Sequence, residues 1–400
     1  MSARRRLRTA VIGMGFIGPN HVDAVRRGGH ADVVVVADAD AARAETRANA
    51  LAVPAWTADI DALLGDPNID VVHVCTPNAT HVAIASAALE ADKHVVLEKP
   101  MAPDSGAAHR LRSLARARGR HVMVAFTYRG YPQVRRARAL VADGEAGDVR
   151  LVHGAYLQEW LSEPDDYNWR IDPAVGGASR AVADIGTHWF DLAEFVSGVR
   201  VTEVFADLAT FIPVRYRTEQ DTLAFGTAMS ARTPVQVSSE DAATILLRFE
   251  GGRRGSFVVS QVSPGHRNDL VLEVGASRLS LAWQQESPER LWLGSRAENR
   301  IVDRLVSDQP IGVPDLPIGH PEGWSEAFRD VMRPFYSAVA NDVAPDQVPA
   351  GSYPSADDGE RSVAFVEAVL RSSQSRRWEQ MPTAESGRPQ TEVAGRAASQ

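Results

Sequence analysis

Apolar and polar positions alternate between two textures along the first 130 residues. Short runs rich in Val, Ile and Leu, namely Leu7–Ile12, Val33–Ala37, Val71–Cys75, Val95–Leu97 and His121–Phe126, predict strands. The stretches between them, Asn20–Arg27, Ala41–Ala50, His81–Ala91 and Ser105–Arg118, predict helices. Strands that stay apolar at successive positions are buried on both faces, as in a parallel sheet flanked by helices. After about residue 145 the texture changes. Val149–Glu159, Val201–Phe211, Thr244–Phe249, Arg254–Val262, Leu270–Val274 and Arg278–Trp283 follow one another mostly through turns. That succession predicts a large, open-faced, mostly antiparallel sheet, with helices near 184–197, 322–341 and 355–372 covering its other face. The expected division is therefore 1–128, 129–374 and a polar, disordered tail at 375–400.

Composition narrows the class. Four hundred residues, 44% hydrophobic and 24% charged, suit two globular domains. No apolar run approaches the roughly 18 residues of a membrane span, and Arg4-Arg5-Arg6 leads into no signal-peptide core. The single cysteine, Cys75, excludes an internal disulfide framework and a cysteine-rich zinc site. A net charge of −8 argues against a nucleic-acid partner. A soluble, cytoplasmic protein is expected. Its 43 basic residues include only two lysines, Lys93 and Lys99. A chain so biased toward Arg keeps Lys where a compact, titratable ammonium is required. Lys93, in Glu90-Ala-Asp-Lys-His94, reads as a surface charge on a turn, whereas Lys99 sits at a strand end.

Gly13-Met-Gly15-Phe16-Ile17-Gly18 follows the first strand and opens the first helix. Glycines there permit a tight turn and let backbone N–H groups approach a pyrophosphate on the helix N-terminus. Asp38 ends the second strand 20 residues after Gly18, where a carboxylate bonds the adenosine ribose. The combination predicts an N-terminal Rossmann domain, a doubly wound parallel sheet, within an α/β chain. Asp38 repels a 2′-phosphate and Ala39 supplies no Arg, which favours NAD over NADP, although Arg43 lies within reach. Two further strand ends point into the same crevice, Thr76-Pro77-Asn78 followed by His81, and Glu98-Lys99-Pro100.

These residues, with Asp184-Ile-Gly-Thr-His188, resemble the glucose–fructose oxidoreductase / inositol dehydrogenase / rhizopine catabolism (Gfo/Idh/MocA) family over nearly the whole chain. Gln158-Glu-Trp160, Asn168-Trp-Arg170 and Gly176-Gly-Ala-Ser-Arg180 are similar to its levoglucosan dehydrogenase branch. The resemblance implies a second α/β domain whose sheet packs against another subunit, giving a homodimer or homotetramer. It also implies hydride transfer at a secondary hydroxyl of a sugar or cyclitol, and a Lys-Pro bond that is often cis.

Oxidising an alcohol needs a base for the hydroxyl proton and a cation or donor for the developing alkoxide. His188 suits the base, Lys99 the stabiliser or relay, and Asp184 the orienter of the imidazole or of the substrate hydroxyl. Lys99 and His188 are interchangeable in the first two roles. Tyr128, Gln158, Trp160, Trp169 and His320 are candidates for the sugar pocket, and Arg170 for cofactor or substrate. Arg129 and Arg180 read as structural ion pairs, and no metal site is expected. Two other functions remain open at this point: a redox-neutral NAD-dependent glycosidase and a dinucleotide-sensing regulator.

Overall fold

The computed structural model describes residues 6–217, 233–304, 316–317 and 319–382. Its first part runs β1 (Leu7–Ile12), α1 (Gly18–Gly28), β2 (Ala31–Ala37), α2 (Ala41–Ala50), β3 (Trp56–Thr57), α3 (Ile60–Gly65) and β4 (Val71–Val74). It continues through α4 (His81–Glu90), β5 (His94–Leu97), α5 (Ser105–Arg118) and β6 (Val122–Val124). The six strands pair in parallel in the order β3-β2-β1-β4-β5-β6. The order reverses between β1 and β4, which opens a crevice at the carboxyl ends of the strands. All four residues of β4 are buried, as expected of a strand covered on both faces.

The second part begins with α6 (Pro132–Ala142), β7 (Val149–Leu157) and the single turn α7 (Pro173–Gly176). A π-helical turn, Val182–Gly186, then leads directly into α8 (Thr187–Ser197). Strands β8 (Val201–Ala209), β9 (Val214–Arg217), β10 (Thr233–Gln236), β11 (Ala242–Phe249) and β12 (Arg254–Ser260) follow. After them come β13 (Asp269–Ala276), β14 (Ser280–Gln284), β15 (Arg290–Gly294), β16 (Asn299–Asp303), α9 (Trp324–Ala340), α10 (Ala356–Ser375) and β17 (Glu379–Gln380). Nine of these strands form one sheet, β16-β15-β14-β13-β7-β12-β11-β8-β17, antiparallel except where β12 meets β7. One face packs on α8 and α10, where Trp189 stacks on Phe257 and Phe190 on Phe365 at 4.2 Å each. The other face leaves Leu151, Leu246 and Val258, on three neighbouring strands, about two-fifths exposed.

Two expectations change. Helix α9 does not cover the large sheet: Phe328, Val331, Met332 and Phe335 pack into the first sheet with Val11, Val71, Val96 and Met123. The cause is geometric. On that face the sheet's own helices contribute only α1 and α2 to the core, so α9 closes the rest over β4, β5 and β6. Helix α10 serves both cores, with Val363 in one and Phe365, Ala368 and Val369 in the other. The predicted tail is also ordered at its start, where β17 pairs with β8 and Met381 is buried. Residues 383–400 of that tail lie outside the described residues. Among the described residues no helix is long and apolar enough to cross a membrane.

Candidate active site

A cavity of about 550 Å³ runs along the carboxyl ends of the first sheet to the π-turn before α8. Gly13, Gly15, Phe16, Ile17, Asp38, Thr76, Asn78 and His81 border it. So do Glu98, Lys99, Tyr128, Arg170, Asp184 and His188.

Sequence dictates the shape of the first end. Gly13 has φ +96°, and a Cβ there would meet the Cys75 carbonyl carbon at 2.6 Å. A Cβ on Gly18 would meet the Gly13 oxygen at 2.2 Å. Only glycine lets β1, β4 and α1 approach so closely. A Cβ on Gly15 would meet nothing within 4 Å, so this part of the turn faces open cavity. Helix α1 takes no side-chain cap; Pro19 has no N–H and Asn20 N–H bonds the Ile17 carbonyl at 2.9 Å, so the backbone offered to an anion is that of the glycine turn at the helix start. These features fit a dinucleotide pyrophosphate.

Asp38 lies on the same stretch of the cavity wall. Its Oδ2 accepts Met14 N–H at 2.8 Å and its Oδ1 accepts Asp40 N–H at 2.9 Å. Arg43 forks onto both oxygens at 2.9 and 2.7 Å. Burial pushes the carboxyl up, but Arg43 and these N–H donors hold it below its ordinary value. The guanidinium therefore reaches the carboxylate at the cavity edge. Asp38→Ala removes the charge that repels a 2′-phosphate and frees Arg43 to meet it. The NAD⁺-over-NADP⁺ preference is expected to fall at least about tenfold, one unit charge acting near a protein surface. Separate titrations with the two cofactors check this, and an unchanged ratio excludes Asp38 as the selector.

His81 borders the cavity and also braces it. Its two ring nitrogens lie 2.8 Å from the carbonyls of Thr76 and Pro100, so it ties the ends of β4 and β5 together. Lys99–Pro100 is cis. Lys93 is not a surface charge either: it is buried, and its Nζ donates to the Asp66 carbonyl at 2.6 Å. Cys75 is buried, and burial pushes its thiol up.

At the other end Lys99 Nζ donates to Asp184 Oδ1 and to the Asp184 carbonyl, both at 2.7 Å. Arg170 Nε stands 3.3 Å from Asp184 Oδ1, its guanidinium 4.5 Å over the Trp169 ring. Gln261 Nε2 donates to Asp184 Oδ2 at 2.9 Å. Burial pushes the Asp184 carboxyl up, but Arg170 and Lys99 hold it well below the usual carboxylate range. The Asp184 carboxylate thus hydrogen-bonds Lys99. His188 Nδ1 is buried without a hydrogen-bond partner, and the ring meets Tyr128 edge-on at 5.0 Å. Burial, then the Lys99 charge, lowers its pKa to about 3, so it is a neutral imidazole at physiological pH.

The predicted sugar pocket is only partly assembled. Tyr128 and Trp169 border the cavity; Gln158, Trp160 and His320 do not. Gln158 spends both ends of its amide, donating to Asn268 at 2.8 Å and accepting Trp160 Nε1–H at 2.6 Å. His320 is exposed on the turn before α9. Arg129 and Arg180 are the expected ion pairs, with Asp191 and Asp241. Sequence reasoning missed Gln261, just past the end of β12, and Trp324, which borders the cavity from the start of α9. A polar residue directly after a buried strand was the available signal for Gln261.

A glycine turn for a pyrophosphate at one end and a lysine beside a neutral histidine at the other define an NAD(P)-dependent oxidoreductase acting on CH–OH groups. Known proteins agree. The model of the oxidoreductase family with an NAD-binding Rossmann fold matches residues 7–126, and that of the GFO/IDH/MocA C-terminal domain matches 134–282. The chain belongs to the GFO/IDH/MocA family, and its cofactor is NAD. Levoglucosan dehydrogenase of Pseudarthrobacter phenanthrenivorans is 29% identical over 361 residues, 87% of this chain and 89% of that one. The oxidoreductase domain protein from Kribbella flavida superposes with TM-score 0.84 at 32% identity, covering 94% of this chain and 100% of that one. A levoglucosan dehydrogenase complex with NADH and L-sorbose gives TM-score 0.85 at 27% identity, covering 95% and 100%.

Proposed function

We propose that the protein oxidises a secondary hydroxyl of a sugar, anhydrosugar, glycoside or cyclitol, using NAD⁺. The observation that carries this reading is the Lys99 ammonium fixed at 2.7 Å on ionised Asp184, in the same cavity wall as neutral His188. Bound NAD⁺ supplies the hydride acceptor. Lys99 has three N–H donors, of which Asp184 takes two; the third stabilises charge on the substrate oxygen. His188 accepts the hydroxyl proton, and Asp184 holds the ammonium in place. Arg170 and Trp169 form a further wall of the cavity, suited to the polar and C–H edges of a ring polyol.

The test is a panel of levoglucosan, glucose, glucosides and myo- and scyllo-inositol with NAD⁺ and with NADP⁺, read by nicotinamide absorbance. NADH formation with one ring polyol is the expected result. Cofactor binding with glycoside cleavage and no net NADH would replace this reading by a redox-neutral one. A second expectation concerns pH. Protonation of His188 removes the base, and its lowered pKa places that loss far below the ordinary imidazole range of about 6.5. The kcat/KM profile should show no acid limb between about pH 7 and 5.5; an inflection near 6.5 would assign the base elsewhere. The exposed Leu151, Leu246 and Val258 support a homodimer or homotetramer built on the open sheet face. Light scattering on the purified chain reports this directly, and a monomer excludes it.

A further inference from the structure

Glu98, at the end of β5, is joined to a run of buried polar groups that the chemistry above does not use. Its Oε1 lies 3.0 Å from His21 Nε2, and His21 Nδ1 lies 2.7 Å from His73 Nδ1. His73 Nε2 lies 2.6 Å from the Tyr336 hydroxyl, which is 3.1 Å from Thr9 Oγ1. These residues come from α1, β4, α9 and β1, and all four are buried.

The chemistry of the ends dictates the donors. An ionised carboxylate only accepts, so His21 donates its Nε2–H to Glu98. Burial holds His73 well below its ordinary value, so one of its nitrogens donates and the other accepts. With no added proton, one arrangement satisfies every position. Thr9 O–H donates to Tyr336, Tyr336 O–H to His73 Nε2, and His73 Nδ1–H to His21 Nδ1. Every proton in the run then points toward Glu98, and such aligned bonds reinforce one another in a low-dielectric interior. Glu98 Oε2 also accepts Lys99 N–H at 3.1 Å. Burial alone would push this carboxyl up; the His21 hydrogen bond and the Lys99 charge bring it below its ordinary value.

We propose that Thr9, Tyr336, His73 and His21 form a positioning device that keeps Glu98 an anion, and that this anion biases the site toward oxidised, cationic nicotinamide over the reduced form. The inference rests on the dehydrogenase reading. Its logic is charge balance: Lys99 and Arg170 oppose Asp184 and Glu98 around one cavity. A neutral Glu98 leaves a net positive wall, which disfavours a cationic ring. The titratable and charged groups facing Glu98 are His21 from α1, His81 from α4, Cys75 after β4, His188 from α8 and the adjoining Lys99.

The experiment is calorimetric titration of the full chain with NAD⁺ and with NADH from about pH 6 to 9, a span that brackets a raised carboxyl pKa. In the unsubstituted protein the ratio of the two dissociation constants should be flat with pH. Glu98→Gln should shift that ratio toward NADH by at least about tenfold, again flat, the effect of one unit charge acting over about 12 Å or less at an effective dielectric near 20. His21→Leu removes the aligned donor, so burial raises the Glu98 pKa and the ratio becomes pH-dependent. It should match the unsubstituted protein at high pH and Glu98→Gln at low pH. His21→Gln, which restores an amide N–H donor, should flatten the profile again. An unchanged ratio in Glu98→Gln overturns the proposal whether or not the His21 variants fold, and a flat profile in folded His21→Leu overturns the role of the hydrogen-bonded run. Failure of the unsubstituted protein to bind either cofactor would instead overturn the dehydrogenase reading itself.

Discussion

Lys99→Ala is expected to abolish turnover while NAD⁺ still binds. The ammonium is the cation that meets the substrate oxygen, and losing one preorganised donor to a developing oxyanion costs about 10²–10³ in kcat, or ~2.7–4 kcal/mol. The expected loss lies at or above the upper end, because the departing group carries a full charge. The fold should tolerate the change. Asp184 keeps Arg170 at 3.3 Å and Gln261 at 2.9 Å, so no buried carboxylate is stranded. Lys99→Arg should not restore activity, since a planar guanidinium cannot reproduce the compact ammonium held between the Asp184 carboxylate and carbonyl. Steady-state rates with the best substrate of the panel, alongside a cofactor titration, make the comparison. A Lys99→Ala variant retaining more than about a tenth of kcat would remove Lys99 from the chemistry.

Asp241→Ala should be the most destabilising single change away from the cavity. Arg180 and Arg215 are both fully buried, and both pair with Asp241. Its other oxygen accepts the backbone N–H groups of Phe211 and Ile212, the latter at 2.8 Å. Deleting the carboxylate leaves two guanidinium charges facing each other in the interior, a situation that costs about 3–5 kcal/mol. The thermal midpoint should drop by roughly 10 °C for a domain of this size. The damage also reaches the site, because Arg180 begins the segment that carries Asp184, and Asp184 N–H bonds the Arg180 carbonyl at 2.8 Å. Calorimetry on both proteins measures it, and a shift of only a degree or two would show that the guanidiniums find water.

The cofactor end of the site was legible because its signals are local. Gly13, Gly15, Gly18 and Asp38 lie on consecutive strand ends of a parallel sheet, where spacing along the chain translates into position in space. Lys99, Asp184 and His188 were legible for a different reason, as chemical types that alcohol oxidation requires. The relation among them was not. Helical periodicity put Asp184 beside His188, but the π-turn Val182–Gly186 and the cations Lys99 and Arg170 claim the carboxylate instead. Gln158 and Trp160 looked like free recognition groups because their satisfaction by each other and by Asn268 depends on β13 lying beside β7. Lys93 looked exposed because the carbonyl it serves belongs to a loop 27 residues earlier. In the same way an apolar stripe on α9 announces burial without naming the sheet that receives it.

That last point bears on how the chain comes to be made. The six strands of the first sheet are complete by Val124, yet the part of one face over β4, β5 and β6 stays uncovered until Phe328, Val331, Met332 and Phe335 have been synthesised. During translation some two hundred residues emerge between the sheet and its cover, and the whole nine-stranded sheet except β17 is among them. The dinucleotide-binding half therefore cannot mature first and wait as an independent module, as N-terminal domains commonly do. A fragment ending near residue 130 carries the complete glycine turn and would still expose Val71, Val96 and Met123 to water. The cover over β4, β5 and β6 is therefore expected to form only once α9 has emerged.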